Sequence, residues 1–195
     1  MNFTIAGDSY SLSLPQQYNG VCESWAWTLC STFGGQAISA NGWSNVDILR
    51  RTQHIHEFSP IIINLSHPTR VPRAYREDED ESSHHPNQMW QLNLDAYKRM
   101  SARFKRAWFW TPFPGYETFD DITTLYLKGE NDLWEEDPYY PRPVLDGISR
   151  EWVAWSEKTG YTASHLTKQG HQTMIKEASK RLKQWNIIDR TTSTY

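Results

Sequence analysis

The feature that most constrains this chain is the rhythm of its first sixty-five residues, where short apolar runs alternate with helical stretches. Asn2–Ala6 is an apolar run that stops at Gly7-Asp8-Ser9, as a buried strand does at a glycine and a small polar residue. Val21, Trp25, Leu29 and Phe33 then recur at helical spacing, which predicts a helix over Val21–Phe33 closed by Gly34-Gly35. Gln36–Ala40 reads as a second strand ending at Asn41-Gly42. Ser44–His54 reads as a second helix, with Ser44 as its N-cap and Val46, Ile48 and Leu49 facing inward. Pro60–Leu65 holds Ile61-Ile62-Ile63, a β-branched run suited to a strand buried on both faces. Three such alternations imply a parallel sheet with crossover helices.

Beyond this the pattern loosens. His67–Asn87 is polar, contains three prolines and carries the Glu77-Asp78-Glu79-Asp80-Glu81 run, so a solvated charged loop is expected at about 67–87. A third helix is predicted over Met89–Phe104 and a fourth strand over Ala107–Phe113. Gly115–Pro143, with scattered aromatics and prolines, reads as an irregular insertion of loops and short elements. Thr167–Trp185 is a final helix with Met174, Ala178, Leu182 and Trp185 on one face and Thr167 as N-cap. The expectation is a single domain over 1–195.

Composition narrows the function classes. Lys+Arg is 20 against Asp+Glu 23, a net charge of −3, which argues against binding nucleic acid through a basic surface. Ten Trp, 10 Tyr and 7 Phe supply enough bulk for a core. No run approaches the roughly 18 apolar residues of a membrane span, and Met1–Gly7 lacks the basic and apolar regions of a secretory signal. Two cysteines, Cys22 and Cys30, make no disulfide scaffold, and on one helix they stand about 12 Å apart. The expected setting is cytoplasmic, with no membrane and no nucleic-acid partner.

Three positions carry candidate chemistry. Asp8-Ser9 ends the first strand, where open α/β sheets bind ligands and a serine presents both hydroxyl and backbone N–H. Gly42, after the second strand, can offer its N–H without a side chain in the way. His165 precedes the last helix on the same side of the sheet and has the acid–base range of a general base, whereas His171 reads as a packing or capping residue. His54, His56 and Glu57, and the pair His84-His85, have metal-like spacing but no third ligand at a diagnostic distance, so no metal and no cofactor are expected.

In this order and setting, Gly7-Asp8-Ser9, the Ala40-Asn41-Gly42-Trp43-Ser44-Asn45 stretch and Ser164-His165-Leu166-Thr167-Lys168-Gln169-Gly170-His171 resemble three blocks of the SGNH (GDSL-like) hydrolases. Among these, the chain looks most like the short SGNH-like proteins of tailed phages, which implies the host cytoplasm for a viral protein. The resemblance implies an α/β fold, a three-layer α/β/α sandwich with a parallel flavodoxin-like sheet. It also implies a serine esterase acting on a small-molecule acyl or acetyl ester, with Ser9 and His165 catalytic and Ser9, Gly42 and Ser66 forming the oxyanion hole. Asn64 and Asp8 stand as alternatives at these positions.

Two residues depart from the family pattern. Ser66 falls where the third block offers an asparagine, and a serine hydroxyl can also donate to an oxyanion. Thr162 falls where the family acid lies, three residues before the histidine; Asp146 or Glu157 are the carboxylates that could substitute from elsewhere. The alternative to an esterase is a non-catalytic pseudo-hydrolase that binds a ligand or protein partner on the same fold.

Overall fold

The computed structural model describes residues 2–8, 11, 24–76, 86–111, 113, 116, 118–124, 161–162, 165–166 and 168–188. Five strands, β1 (Thr4–Gly7), β2 (Gln36–Ser39), β3 (Ile61–Asn64), β4 (Ala107–Thr111) and β5 (Ile122–Thr124), form one sheet in the order β2-β1-β3-β4-β5. All four pairings are parallel, with Gly7 opposite Ser39, Ala6 opposite Ile63, and Asn64 opposite Trp110. This is the flavodoxin-like order, whose switch point lies between β1 and β3.

The alternation along the central strands divides the core in two. Ile5, Ile62, Trp108 and Trp110 face one side, where α1 (Trp25–Phe33) supplies Trp25 and Leu29. On that side α5 (Lys168–Gln184) adds Met174, Ala178 and Leu182. Ala6, Ile61, Ile63 and Phe109 face the other side, packed by α2 (Asn45–Arg51) through Ile48 and Leu49. There α4 (Pro86–Arg103) adds Leu94, Tyr97 and Met100. The result is a three-layer α/β/α sandwich, the arrangement in which a β-branched parallel strand such as Ile61-Ile62-Ile63 is covered on both faces.

Helix ends are set by capping. The predicted start at Val21 moves to Trp25, because Ser24 is the N-cap and its Oγ accepts from Trp27 N–H at 3.1 Å; residues 21–23 lie outside the described set. The Trp25 N–H, one of the donors a helix start leaves without an intrahelical partner, reaches His171 Nδ1 of α5 at 3.1 Å. Gly34, at φ 74°, ends α1 in the left-handed region that favours glycine. In α2 a capping box joins Ser44 and Asp47, and Thr52 Oγ1 turns back to the Ile48 carbonyl at 2.9 Å, so the helix stops before His54.

Three stretches gain detail that the sequence did not show. The stretch read as an irregular insertion contains β5, which extends the main sheet from β4, with Trp108 Nε1 donating to Thr123 Oγ1 at 2.9 Å. Three residues are too few to show a strand period, and β5 is reached through tight turns from Tyr116 and Phe119. The charged loop contains a single helical turn, α3 (Arg73–Arg76), and α4 begins at Pro86, ahead of Met89. Proline suits a first helical position because its missing N–H is unneeded there. His165 belongs to β7 (His165–Leu166), antiparallel to β6 (Tyr161–Thr162), where a loop was expected. The acidic run at 77–81, His84-His85, Cys22, Thr167, Asp146 and Glu157 lie outside the described residues. Among the described residues no helix is long and apolar enough to cross a membrane.

Gly35 has a steric reason to be glycine: a Cβ there would stand 2.5 Å from Phe3 Cζ, inside the packed core. Gly35→Ala is expected to destabilise by about 1–3 kcal/mol through overpacking, a fall in melting temperature of roughly 2–4 °C per kcal/mol in a chain of this size. A thermal melt beside the wild type measures it, and an unchanged midpoint would contradict the clash.

Candidate active site

Parallel strands bring their carboxyl ends to one edge of the sheet, so the segments following β1, β2, β3 and β4 meet there. The β1 segment is anchored by Ser11. Its N–H donates to the Asp8 carbonyl at 3.0 Å, and its hydroxyl donates to Asn64 Oδ1 at 3.3 Å. Ser39 Oγ at the end of β2 donates to the Ser11 carbonyl at 2.7 Å. Ser11 thus bridges the ends of β2 and β3 across β1. Gly7 makes this possible, since a Cβ there would stand 2.7 Å from Asn64 Cβ and 2.9 Å from Ser11 Oγ. Asp8 and Ser11 are both fully buried. Ser9, between them in sequence, lies outside the described residues.

The β2 segment turns at Gly42, with φ 71°, a conformation strained for any side chain with a Cβ. Arg73 secures this turn from α3: its guanidinium donates to the Asn41 carbonyl at 3.1 Å and its N–H to Asp47 Oδ2 at 3.2 Å.

The β3 segment carries both candidate donors. Asn64 spends its side chain locally, Oδ1 accepting from Ser11 and Nδ2 donating to the Leu65 carbonyl at 3.1 Å. Ser66, two residues on, is fully buried, and its Oγ finds no hydrogen-bond partner among the described residues. Its peptide is held from both sides: the N–H donates to Asn45 Oδ1 at 2.8 Å, and the carbonyl accepts from Tyr116 Oη at 3.0 Å.

That arrangement rests on three residues sequence reasoning passed over. Asn45 Nδ2 donates to Tyr116 Oη at 2.8 Å, and Asn45 N–H donates to Asn93 Oδ1 at 2.8 Å. Asn93 Nδ2 in turn reaches the carbonyls of Pro68 at 2.9 Å, Arg70 at 2.8 Å and Met89 at 2.9 Å. A signal for Asn93 was present: it shares a helical stripe with Met89, Tyr97, Met100 and Phe104, all apolar or aromatic and all buried. A polar residue on such a stripe must satisfy its amide inside the protein. Asn45 reads as the residue after an N-cap and the end of the Ala40–Asn45 stretch, with no sign of a bond to Tyr116, which lies in the least periodic part of the chain.

Among the described residues four titratable groups are perturbed, burial raising the phenols of Tyr97 and Tyr116 as well as shifting His67 and Cys30. His67 Nδ1 lies 2.9 Å from Thr69 Oγ1, and its ring meets Phe113 edge-on at 5.2 Å. Burial, with the Arg70 cation adding to it, lowers its pKa to about 3. Burial pushes the Cys30 thiol up to about 12, so it stays protonated and is no rival nucleophile. Of the hairpin, the backbone register is described: Thr162 pairs with His165. Among the described residues no three His, Cys, Asp or Glu side chains gather as metal ligands would.

No protein-family model matches the sequence, and no curated protein matches it. Among solved structures, the chain is similar to a protein of Desulfitobacterium hafniense DCB-2 named for the G-D-S-L lipolytic family, at 15% identity. The match covers 93% of this chain and 100% of that one, with a TM-score of 0.46.

Two predictions follow from the buried groups. Asn93→Ala removes the side-chain partner of the Asn45 N–H and of the Pro68 and Arg70 carbonyls, the Met89 carbonyl keeping its helical bond, and unpaired buried groups cost about 1–3 kcal/mol each. A loss of at least about 2 kcal/mol in urea unfolding is expected, and a loss below about 0.5 kcal/mol would show that water replaces the amide freely. His67 gives a pH signature. Its folded pKa of about 3 lies below the ordinary 6.5, so the unfolded chain takes up the proton first as pH falls. Its contribution is therefore complete above about pH 6.5 and declines from there toward pH 3. His67 is not fully buried as a residue, so the loss between pH 7 and pH 5 is at most about 2 kcal/mol, and His67→Gln should flatten that slope.

Proposed function

We propose that this chain is a serine ester hydrolase of the SGNH type, acting on a small acyl or acetyl ester, an acetylated carbohydrate being one such substrate. Ser9 Oγ attacks the acyl carbon while His165 takes its proton. Collapse of the tetrahedral intermediate expels the alcohol, which takes the proton back from His165, and water then hydrolyses the acyl-serine by the same route. The N–H groups of Ser9 and Gly42 and the hydroxyl of Ser66 stabilise the oxyanion.

The observation that carries this reading is the convergence at the switch point. Ser11, two residues after Ser9, is tied to the ends of β2 and β3 and, through its N–H, to the carbonyl of Asp8. At the same edge Ser66 holds a buried hydroxyl with no partner among the described residues, and Gly42 turns at positive φ. Between Ser66 and Asn64, the hydrogen bonds favour Ser66, since both polar atoms of the Asn64 amide are engaged.

A second reading, a non-catalytic protein that binds a ligand on the same fold, is favoured by one observation. Thr162, the register partner of His165, occupies the position of the family acid. In the serine-protease triad, loss of the carboxylate's charge lowers the rate by about 10⁴ without abolishing it, so a Ser–His pair remains a working but slow centre.

Labelling by a fluorophosphonate probe separates the two, because it needs an activated serine. Labelling that disappears in Ser9→Ala is the expected result, and Thr162→Asp should raise hydrolysis of a simple acetyl ester by at most about 10⁴. No labelling of the wild type at any pH would favour the binding protein.

A further inference from the structure

Ser66 brings the shortest side-chain donor that could serve the proposed oxyanion hole, and a short donor is placed only as well as its backbone is. A serine hydroxyl turns about one torsion with three staggered wells, so a displacement of its peptide passes undiminished to Oγ. An asparagine at the same position reaches further and has a second torsion with which to correct itself.

The peptide of Ser66 is held in a closed ring. Its N–H donates to Asn45 Oδ1 at 2.8 Å, Asn45 Nδ2 donates to Tyr116 Oη at 2.8 Å, and Tyr116 Oη donates to the Ser66 carbonyl at 3.0 Å. All three residues are fully buried. The partners arrive from separations of 21 and 50 residues, so the ring is a tertiary device and not a turn motif. Asn93 fixes Asn45 from behind, and the Tyr116 ring packs against Trp90 at 5.7 Å. After both backbone groups of Ser66 are engaged, its hydroxyl is the one polar atom of the residue without a partner among the described residues.

We infer that Asn45 and Tyr116 are positioning residues that hold the Ser66 hydroxyl as an oxyanion donor, an inference that rests on the hydrolase reading above. They touch no substrate; they act through Ser66.

The test is the second-order rate of fluorophosphonate labelling of the full chain, in which the probe's phosphoryl oxygen takes the developing negative charge. Wild type, Ser66→Ala, Tyr116→Phe and the double variant are compared. Ser66→Ala should slow labelling by roughly 10²–10³-fold, as removal of one oxyanion donor does. Tyr116→Phe keeps the ring and loses both bonds of the hydroxyl, and should slow labelling about tenfold. The double variant should label no more slowly than Ser66→Ala alone, because Tyr116 then has nothing left to position. Effects that multiply would mean general loosening of the fold and would overturn the inference. Asn45→Asp, which keeps an acceptor for the Ser66 N–H but loses the donor to Tyr116, gives the same cycle if Tyr116→Phe does not fold. A wild type that labels while Ser66→Ala labels equally fast overturns this inference and leaves the hydrolase standing. A wild type that never labels overturns both.

Discussion

The structure depends on how the chain leaves β3. This strand is central, buried on both faces, and where it ends its peptide groups lose the ladder while still inside the protein. Each such group left unpaired costs about 1–3 kcal/mol. Leu65 is met by β4, its N–H donating to the Trp110 carbonyl at 2.8 Å and its carbonyl accepting from Thr111 Oγ1 at 3.3 Å. Ser66 is met by Asn45 and Tyr116, and the carbonyls of Pro68 and Arg70 are met by Asn93. The start of α2, the first half of α4 and the segment before β5 are thus drawn to one point by the hydrogen-bonding demand of Ser66, Pro68 and Arg70.

The same demand makes the edge a good place for chemistry. Stabilising a developing charge needs donors that are already in place and cost no reorganisation. A side chain fixed by packing alone moves with its neighbours, whereas one whose peptide is bonded on both sides has little freedom to do so. Ser11 works in the same way on the other side of the switch point, tying the β1 segment to Ser39 and Asn64. Gly7 contributes only by lacking a Cβ, which lets Ser11 tuck against β3. The described part of the carboxyl edge is therefore tied by hydrogen bonds that the backbone needs whatever the function.

What could be read from the sequence was what the sequence encodes locally. Ile61-Ile62-Ile63, the spacing of Trp25, Leu29 and Phe33, and the Ser44 cap each report their element without help from distant residues, and β1 to β4 and the long helices follow from such signals. The strand β5 failed because three residues cannot show a period and its placement comes from pairing with β4. The candidate site divides along the same line. The places of Gly42 and Ser66 just after β2 and β3 were legible because strand ends and glycine turns are local, whereas their proposed roles came from the resemblance. The Asn45–Tyr116 contact spans 71 residues and Asn45–Asn93 spans 48, and no pattern in either neighbourhood announces them.

In the proposed hydrolase reaction, Thr162 and Ser66 stand at different steps, and this separates the two proposed readings of function. On that reading Thr162 would bear on the base: without a carboxylate the imidazolium formed during attack would lack its counter-charge, lowering the rate without closing the route. On the same reading Ser66 would bear on the oxyanion, and its buried hydroxyl suits a ligand. A buried hydroxyl without a partner carries its desolvation cost with nothing in return, and among the described residues Ser66 Oγ has none, so those residues alone give no reason to prefer serine to alanine at position 66. The elaborate bonding of the Ser66 peptide supports the backbone, which alanine would share in full, and does not involve Oγ. Among the described residues the hydroxyl is thus the part of Ser66 that makes no hydrogen bond, carried by a peptide that makes two.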